Sequence, residues 1–299
     1  MVTPPSVRTV APMPFQPEAF FLAADAGRPG QRMCLFHPSH TARSVGSVLY
    51  VPPFAEEMNK ARRMAALQAR AMAQAGFAVL QMDLLGCGDS SGDSADATWH
   101  DWVGDVVQGA RWLRERSAAA LWLWGLRAGC LLAADAARHL PDPCNFLFWS
   151  PVTAGKTQWQ QFLRLKLAGD MLGGNTKGVS EALRQQLAAG ENIEVAGYGV
   201  SPGLARGLEQ AVLAPPPVAP ADPMRRLEWL ELSTREEARL SPVAQMALGQ
   251  WEQAGFAVRS RIANGPSFWQ TTEIEDAPAL VSASLEAIGS AAQSPALAH

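Results

Sequence analysis

A strand-like run, Leu121–Trp124, passes straight into a helix-like one from Ala128 through the pentapeptide Gly125-Leu126-Arg127-Ala128-Gly129. This is the spacing of Gly-x-Ser-x-Gly, a sharp strand-to-helix turn that exposes a serine hydroxyl, with arginine in the serine's place. Small residues flank the central one because the turn is tight and strand and helix pack closely. A guanidinium holds its charge and is a poor nucleophile, so an acyl-enzyme route is closed at Arg127. The base is missing too. The five histidines are His37, His40, His100, His139 and His299, and none lies between Leu140 and Ala298, where a base following the last strand would fall. In the loop expected there, Asn264–Trp269, Ser267 and Phe268 stand where a histidine is needed, and neither can take up a proton. Cys130 follows the turn by about one helical turn and also lacks a histidine partner.

A cation at a helix N-terminus opposes the macrodipole, and a partly desolvated one needs an anion. The sequence offers Glu56 and Glu57, just after the strand stop Pro52-Pro53, and Glu231, at the end of a later strand. Three roles stay open for Arg127: a structural ion pair, an anchor for an anionic ligand, and a direct part in catalysis. Phe54, Glu56, Glu57, Asn59 and Lys60 are dense enough to line a pocket at the carboxyl ends of the strands, with Leu126, Ser267 and Trp269 completing it. The same acidic residues would equally suit the first turn of a helix. Asp83 and the loop Leu84–Asp93, LLGCGDSSGD, read as a structural turn; no lysine follows at phosphate-loop spacing.

The elements that position these residues alternate strand and helix. Strands are expected at Phe20–Leu22, Arg32–His37, Ser47–Val51, Phe77–Met82, Leu121–Trp124, Phe146–Trp149, Leu227–Leu232 and Ala257–Ile262. Helices are expected at Glu57–Gly76, Asp101–Arg116, Ala128–Leu140, Ser241–Gly255 and Glu273–Ile288. That pace means a mostly parallel sheet with helices on both faces. The core divides into residues 1–152 and 221–290. Between them, 153–220 reads as a helical, cap-like insertion, with an amphipathic stretch Gln160–Leu172, glycines at 173, 174 and 178, and a Pro215-Pro216-Pro217 linker; 291–299 reads as a flexible tail.

With 299 residues, 48% of them hydrophobic, the chain can build a core without disulfide or metal staples. A net charge of −3 gives no reason to expect nucleic acid as a partner. Ten tryptophans against two tyrosines point to indoles filling the core, with a few lining a pocket. Four cysteines without a Cys-x-x-Cys pair read as buried thiols in a reducing compartment. The proline-rich start resembles no signal peptide, and no run is long enough for a membrane span, so a cytoplasmic location is expected. No cofactor or metal is expected.

Four segments carry a family resemblance: Val51–Asp93, the elbow in WLWGLRAG, QFLRLKLAGDML, and GPSFWQTTEIE. Over about Arg32–Ile288 the chain resembles the α/β-hydrolase superfamily, and within it the second of the two hydrolase-like families associated with the exosortase A system. The resemblance implies an α/β-hydrolase fold and a bacterial cytoplasmic protein. It also implies a setting of exopolysaccharide synthesis and PEP-CTERM protein sorting, beside a sister hydrolase as partner. It implies no substrate, because fold alone does not give function. Two functions stay open. One is a non-hydrolytic protein that binds a small anionic or acyl-bearing ligand, or the sister hydrolase. The other is a hydrolase or transferase for an ester or acyl substrate that works through pocket carboxylates and Arg127.

Overall fold

Unbroken apolar runs become the central strands, because a strand covered by helices on both faces has no polar side. The computed structural model describes residues 16–171, 178–219 and 222–289. In chain order the elements are β1 (Glu18–Ala23), β2 (Gln31–His37), β3 (Gly46–Val51), α1 (Glu56–Gln74), β4 (Phe77–Met82), α2 (Trp99–Arg114), β5 (Leu121–Leu126), α3 (Ala128–Ala136), β6 (Asn145–Trp149), α4 (Gly155–Met171), α5 (Val179–Ala188), β7 (Ile193–Val195), β8 (Tyr198–Val200), α6 (Pro202–Gln210), β9 (Arg225–Ser233), α7 (Pro242–Gln253), β10 (Phe256–Asn264) and α8 (Pro278–Gly289). Eight strands form one sheet in the order β1-β2-β4-β3-β5-β6-β9-β10. The β1–β2 and β2–β4 pairs are antiparallel and the rest parallel. β3 and β5, at the centre, are buried at every position.

Two apolar layers flank the sheet. On one face Leu49, Val51 and Leu123 meet α2, α3 and α7 through Val106, Leu131 and Trp251. On the other Val48, Trp122, Trp124 and Trp149 meet α1 and α8 through Met64, Met72 and Leu280. The tryptophans fill this core: the Trp124 and Trp149 rings stand edge to face with centroids 4.7 Å apart. All four cysteines are free and buried. Among the described residues no helix is long and apolar enough to cross a membrane.

Element boundaries differ from expectation where local chemistry intervenes. α2 starts at Trp99, because Thr98 caps it and Asp101 reaches back to the Thr98 N–H in a capping box. α3 ends at Ala136 and tightens into a 3₁₀ turn, Ala137–His139, ahead of Pro141. α8 starts at Pro278, not Glu273, since proline lacks an N–H and is tolerated only in the first turn. Between β6 and β9 the chain is richer than one amphipathic stretch. It forms α4, α5, the antiparallel β7–β8 hairpin and α6, closed at its base by an Ala154–Val212 bridge. Gly173, Gly174 and the tail 291–299 lie outside the described residues.

The β5–α3 turn depends on one glycine above others. A Cβ on Gly129 would stand 2.3 Å from the Val51 carbonyl oxygen and 2.5 Å from that of Pro52, both backbone atoms. Gly129→Ala should therefore force α3 away from the end of β3. A loss of about 1–3 kcal/mol or more is expected in urea unfolding, the range for an overpacked core. An unchanged midpoint would mean that helix and strand are not in this contact.

Candidate functional site

Arg127 is the first residue beyond β5 and caps α3, with φ 54° and ψ −121°. A side chain other than glycine at such an angle stores roughly 1–3 kcal/mol of strain, and residues of this kind cluster at functional sites. The turn is pinned on both sides: the Arg127 N–H donates to the Trp149 carbonyl at 3.0 Å, and the Arg127 carbonyl accepts from Cys130 N at 3.1 Å. Ala55, which precedes α1, adopts nearly the same angles, φ 53° and ψ −123°. This second strained residue turns the chain out of Pro52-Pro53 and aims the first turn of α1 at the elbow.

Glu57 is the result. Its carboxylate, 2% exposed, meets Arg127, 16% exposed, with Nε to Oε1 at 3.3 Å. Gln158 Nε2 donates to the other carboxylate oxygen at 3.2 Å, and the nearby Gln270 amide helps to hold the Glu57 pKa down. The remaining guanidinium donors go to the Ser150 carbonyl at 3.2 Å, Gln158 Oε1 at 3.4 Å and Gln161 Oε1 at 3.5 Å. The Trp269 ring centroid lies 5.4 Å from the guanidinium carbon, within cation–π range. Burial raises the Glu57 pKa above the ordinary glutamate value, against the pull of Arg127 and the two glutamines. These contacts are numerous but long; charge-assisted bonds of this kind usually run about 2.7–2.9 Å. The guanidinium is satisfied without being tightly gripped.

Of the three carboxylates expected near Arg127, only Glu57 forms the ion pair. Glu231 instead accepts from Trp229 Nε1 at 2.9 Å. Both residues point to one face of β9, so the neighbouring indole takes that carboxylate. Glu56 turns away along α1. One of its carboxylate oxygens is buried with no hydrogen-bond partner, and burial raises its pKa, while Lys60, one turn on, pulls it back. Asn59 donates to the Tyr198 hydroxyl at 2.8 Å, tying α1 to the β7–β8 hairpin. Phe54 packs against Trp102 and Phe162. Leu126 is fully buried in the α1/α8 layer. In the loop after β10, Ser267 offers its carbonyl to Gln270 N at 2.8 Å, and Phe268 is buried in the core.

Gln158, Gln161, Gln270 and the Ser150 carbonyl were absent from the sequence-based list. The signal available for two of them was the Gln158/Gln161 pair, spaced to share one face of α4. The Cys130 thiol is fully buried, and that burial raises its pKa well above the ordinary value, so it is no reactive thiolate. A cavity of about 250 Å³ lies under the hairpin, lined by Phe54, Asn59, Cys87, Ser94, Trp102 and Tyr198 but by neither Arg127 nor Glu57. Among the described residues no cluster of His, Cys, Asp and Glu could hold a metal ion.

No family model matches the chain. The thermostable monoacylglycerol lipase of Bacillus sp. (strain H-257) is 37% identical over 79 residues, which span 26% of this chain and 31% of the lipase. Among solved structures, Est1E from Butyrivibrio proteoclasticus with ferulic acid bound aligns with a TM-score of 0.59 at 12% identity, over 91% of this chain and 98% of that one. XC6422 from Xanthomonas campestris, described as a serine hydrolase without lid, aligns with a TM-score of 0.54 at 15% identity, over 95% and 99%. Mouse alpha/beta hydrolase domain-containing protein 10 gives a TM-score of 0.54 at 15% identity, over 92% and 99%. At these identities the likeness shows the fold: the chain has the α/β-hydrolase fold.

Proposed function

We propose that this chain is a non-hydrolytic member of the α/β-hydrolase superfamily whose triad is degenerate. Its elbow binds a small anionic or acyl-bearing ligand in place of turning over an ester. The observation that carries this reading is the Arg127–Glu57 pair: a cation on the strained elbow residue, its anion buried, and amides from α4 and the loop after β10 holding both. Nothing in that arrangement can attack a carbonyl. The long guanidinium contacts favour exchange, so a ligand carboxylate could take the place of Gln158 and Gln161 on Arg127. Its acyl part would enter the cavity under the hairpin, along Phe54 and Trp102. Residues 153–220 then act as a cap, since α4 supplies both amides. The motif resemblance supports a cytoplasmic role in an exosortase A setting, with the sister hydrolase as the partner to test for binding.

A second reading has its own support. Burial raises the pKa of both Glu56 and Glu57, and carboxylates so shifted can serve as general bases near neutral pH. With Arg127 stabilising an oxyanion, a carboxylate-activated water could cleave an ester or thioester. The short identity with a monoacylglycerol lipase supports that class of substrate.

The deciding experiment incubates wild type and Arg127→Ala with short- and medium-chain acyl esters and thioesters and follows product by mass spectrometry. The expected result is no turnover by either. Turnover by wild type that disappears in Arg127→Ala would reject the non-hydrolytic reading and make Arg127 an electrostatic catalyst.

A further inference from the structure

We propose that a second cavity, between α1 and strands β2, β3 and β4, binds a small uncharged aromatic molecule carrying one hydrogen-bond acceptor, an aryl ketone or aldehyde being the simplest case. The cavity measures about 250 Å³ and does not include Arg127 or Glu57 in its lining. It follows from the strand register. Leu35 of β2 is paired with Gln81 of β4, and Gln81 with Tyr50 of β3, so these three side chains stand in one row on the α1 face. Above them α1 presents Met58 and Arg62, and then Ala65 and Ala66. Residues spaced in this way share one side of a helix. The two alanines are too short to reach the sheet, and the gap they leave is the cavity.

Its floor carries a hydroxyl that faces open space. Tyr50 is 8% exposed and lines the cavity, yet its hydroxyl makes no hydrogen bond to any described residue. Beside it, Gln81 Oε1 is engaged by His37 Nε2 at 2.9 Å, which leaves the amide N–H groups free of that contact. Both floor groups can therefore donate, and a ligand should offer an acceptor. The mouth is set by Arg62 and Asp83, paired at 3.3 Å, and by Asp89, whose N–H also donates to Asp83. One cation and two carboxylates leave the entrance negative, which disfavours an anionic ligand. The walls favour a ring: Met33 and Met58 offer thioethers, which pack well against aromatic edges and adapt to shape. The volume lies below the roughly 300–1,000 Å³ of sites for drug-sized molecules, so about one ring fits.

Acetophenone is the probe, and methionine-methyl ¹³C spectra of the full chain are the readout. The expected result is a saturable shift of the Met33 methyl, which lines this cavity and not the one under the hairpin, with Met224 and Met246, which are exposed, unmoved. Ala66→Leu, which fills the gap from the helix side, should abolish the shift. Tyr50→Phe should weaken binding about 5- to 10-fold, the effect of one lost hydrogen bond. Benzoate, the same ring with a negative charge, should bind at least about tenfold more weakly than acetophenone. No saturable shift of Met33, or one that survives Ala66→Leu, would overturn the proposal. Ala66→Leu alters a half-buried helix position, so a folded spectrum from that variant makes either outcome interpretable.

Discussion

Arg127→Ala should lose about 3–5 kcal/mol of stability at pH 7, the range for removing one partner of a buried ion pair, and should regain much of it in acid. The substitution leaves the strained φ of the elbow as it was, since alanine gains nothing over arginine there. What changes is Glu57, left as a buried carboxylate with only glutamine donors. The sign follows from its pKa. Burial already raises it in the folded protein, and Arg127 is the largest opposing influence, so deleting Arg127 moves it further up. A carboxylate whose folded pKa exceeds its unfolded value destabilises the fold once pH passes the folded value. That penalty fades as pH falls towards the unfolded one. Urea unfolding at pH 7 and at pH 4.5 should therefore show a large deficit in the first and a small one in the second. Glu57→Gln should be milder at pH 7. It leaves Arg127 with the Ser150 carbonyl, two glutamines, the Trp269 face and some solvent. A deficit of equal size at both pH values would mean that lost packing, not the uncompensated charge, is the cause.

The same residues explain what could be read from the sequence. The elbow was legible because its geometry constrains residue type: Gly129 admits no side chain against Val51 and Pro52, so the pattern survives around an arginine. The central strands were legible because burial on both faces leaves few polar positions: β5 has none, and β3 only Ser47 and Tyr50. Which glutamate meets Arg127 was not legible. Glu56 and Glu57 are about 100° apart around α1, and the choice is made by the strained turn at Ala55, which no residue type announces. Gln158, Gln161 and Gln270 were missed because neutral amides carry no charge signature, and Ser150 because it contributes a carbonyl that every residue has. The β7–β8 hairpin was missed for a related reason. Ala196 and Gly197 both take positive φ, 52° and 82°, as a two-residue turn requires, but Ala-Gly lacks the Asn-Gly signature of such turns.

Placing serine back on the elbow should not make a hydrolase. Arg127→Ser would put a hydroxyl on a residue already at φ 54°, at the N-terminus of α3, where helix N–H groups can face an oxyanion. What it would lack is a base. Phe268 and Trp269 are buried in the loop after β10, and the next residue is Gln270. The neighbouring thiol, Cys130, is fully buried. A positioned base typically contributes 10²–10⁴-fold, so labelling of Arg127→Ser by a fluorophosphonate should fall behind an intact serine hydrolase by about that factor. Wild type should not label at all. Glu57 is the one group that could break this expectation. It lies 3.3 Å from Arg127 Nε, and serine reaches less far from the backbone than that nitrogen does, so a gap would separate hydroxyl from carboxylate. Fast labelling of Arg127→Ser that disappears when Glu57→Gln is added would show that the gap closes and that Glu57 is a competent base. The carboxylate chemistry of the second reading would then be the better account of the wild-type site. Slow labelling, indifferent to Glu57, would leave the pair as a charge-neutralised anchor, with Glu57 holding the cation in place until a ligand anion competes for it.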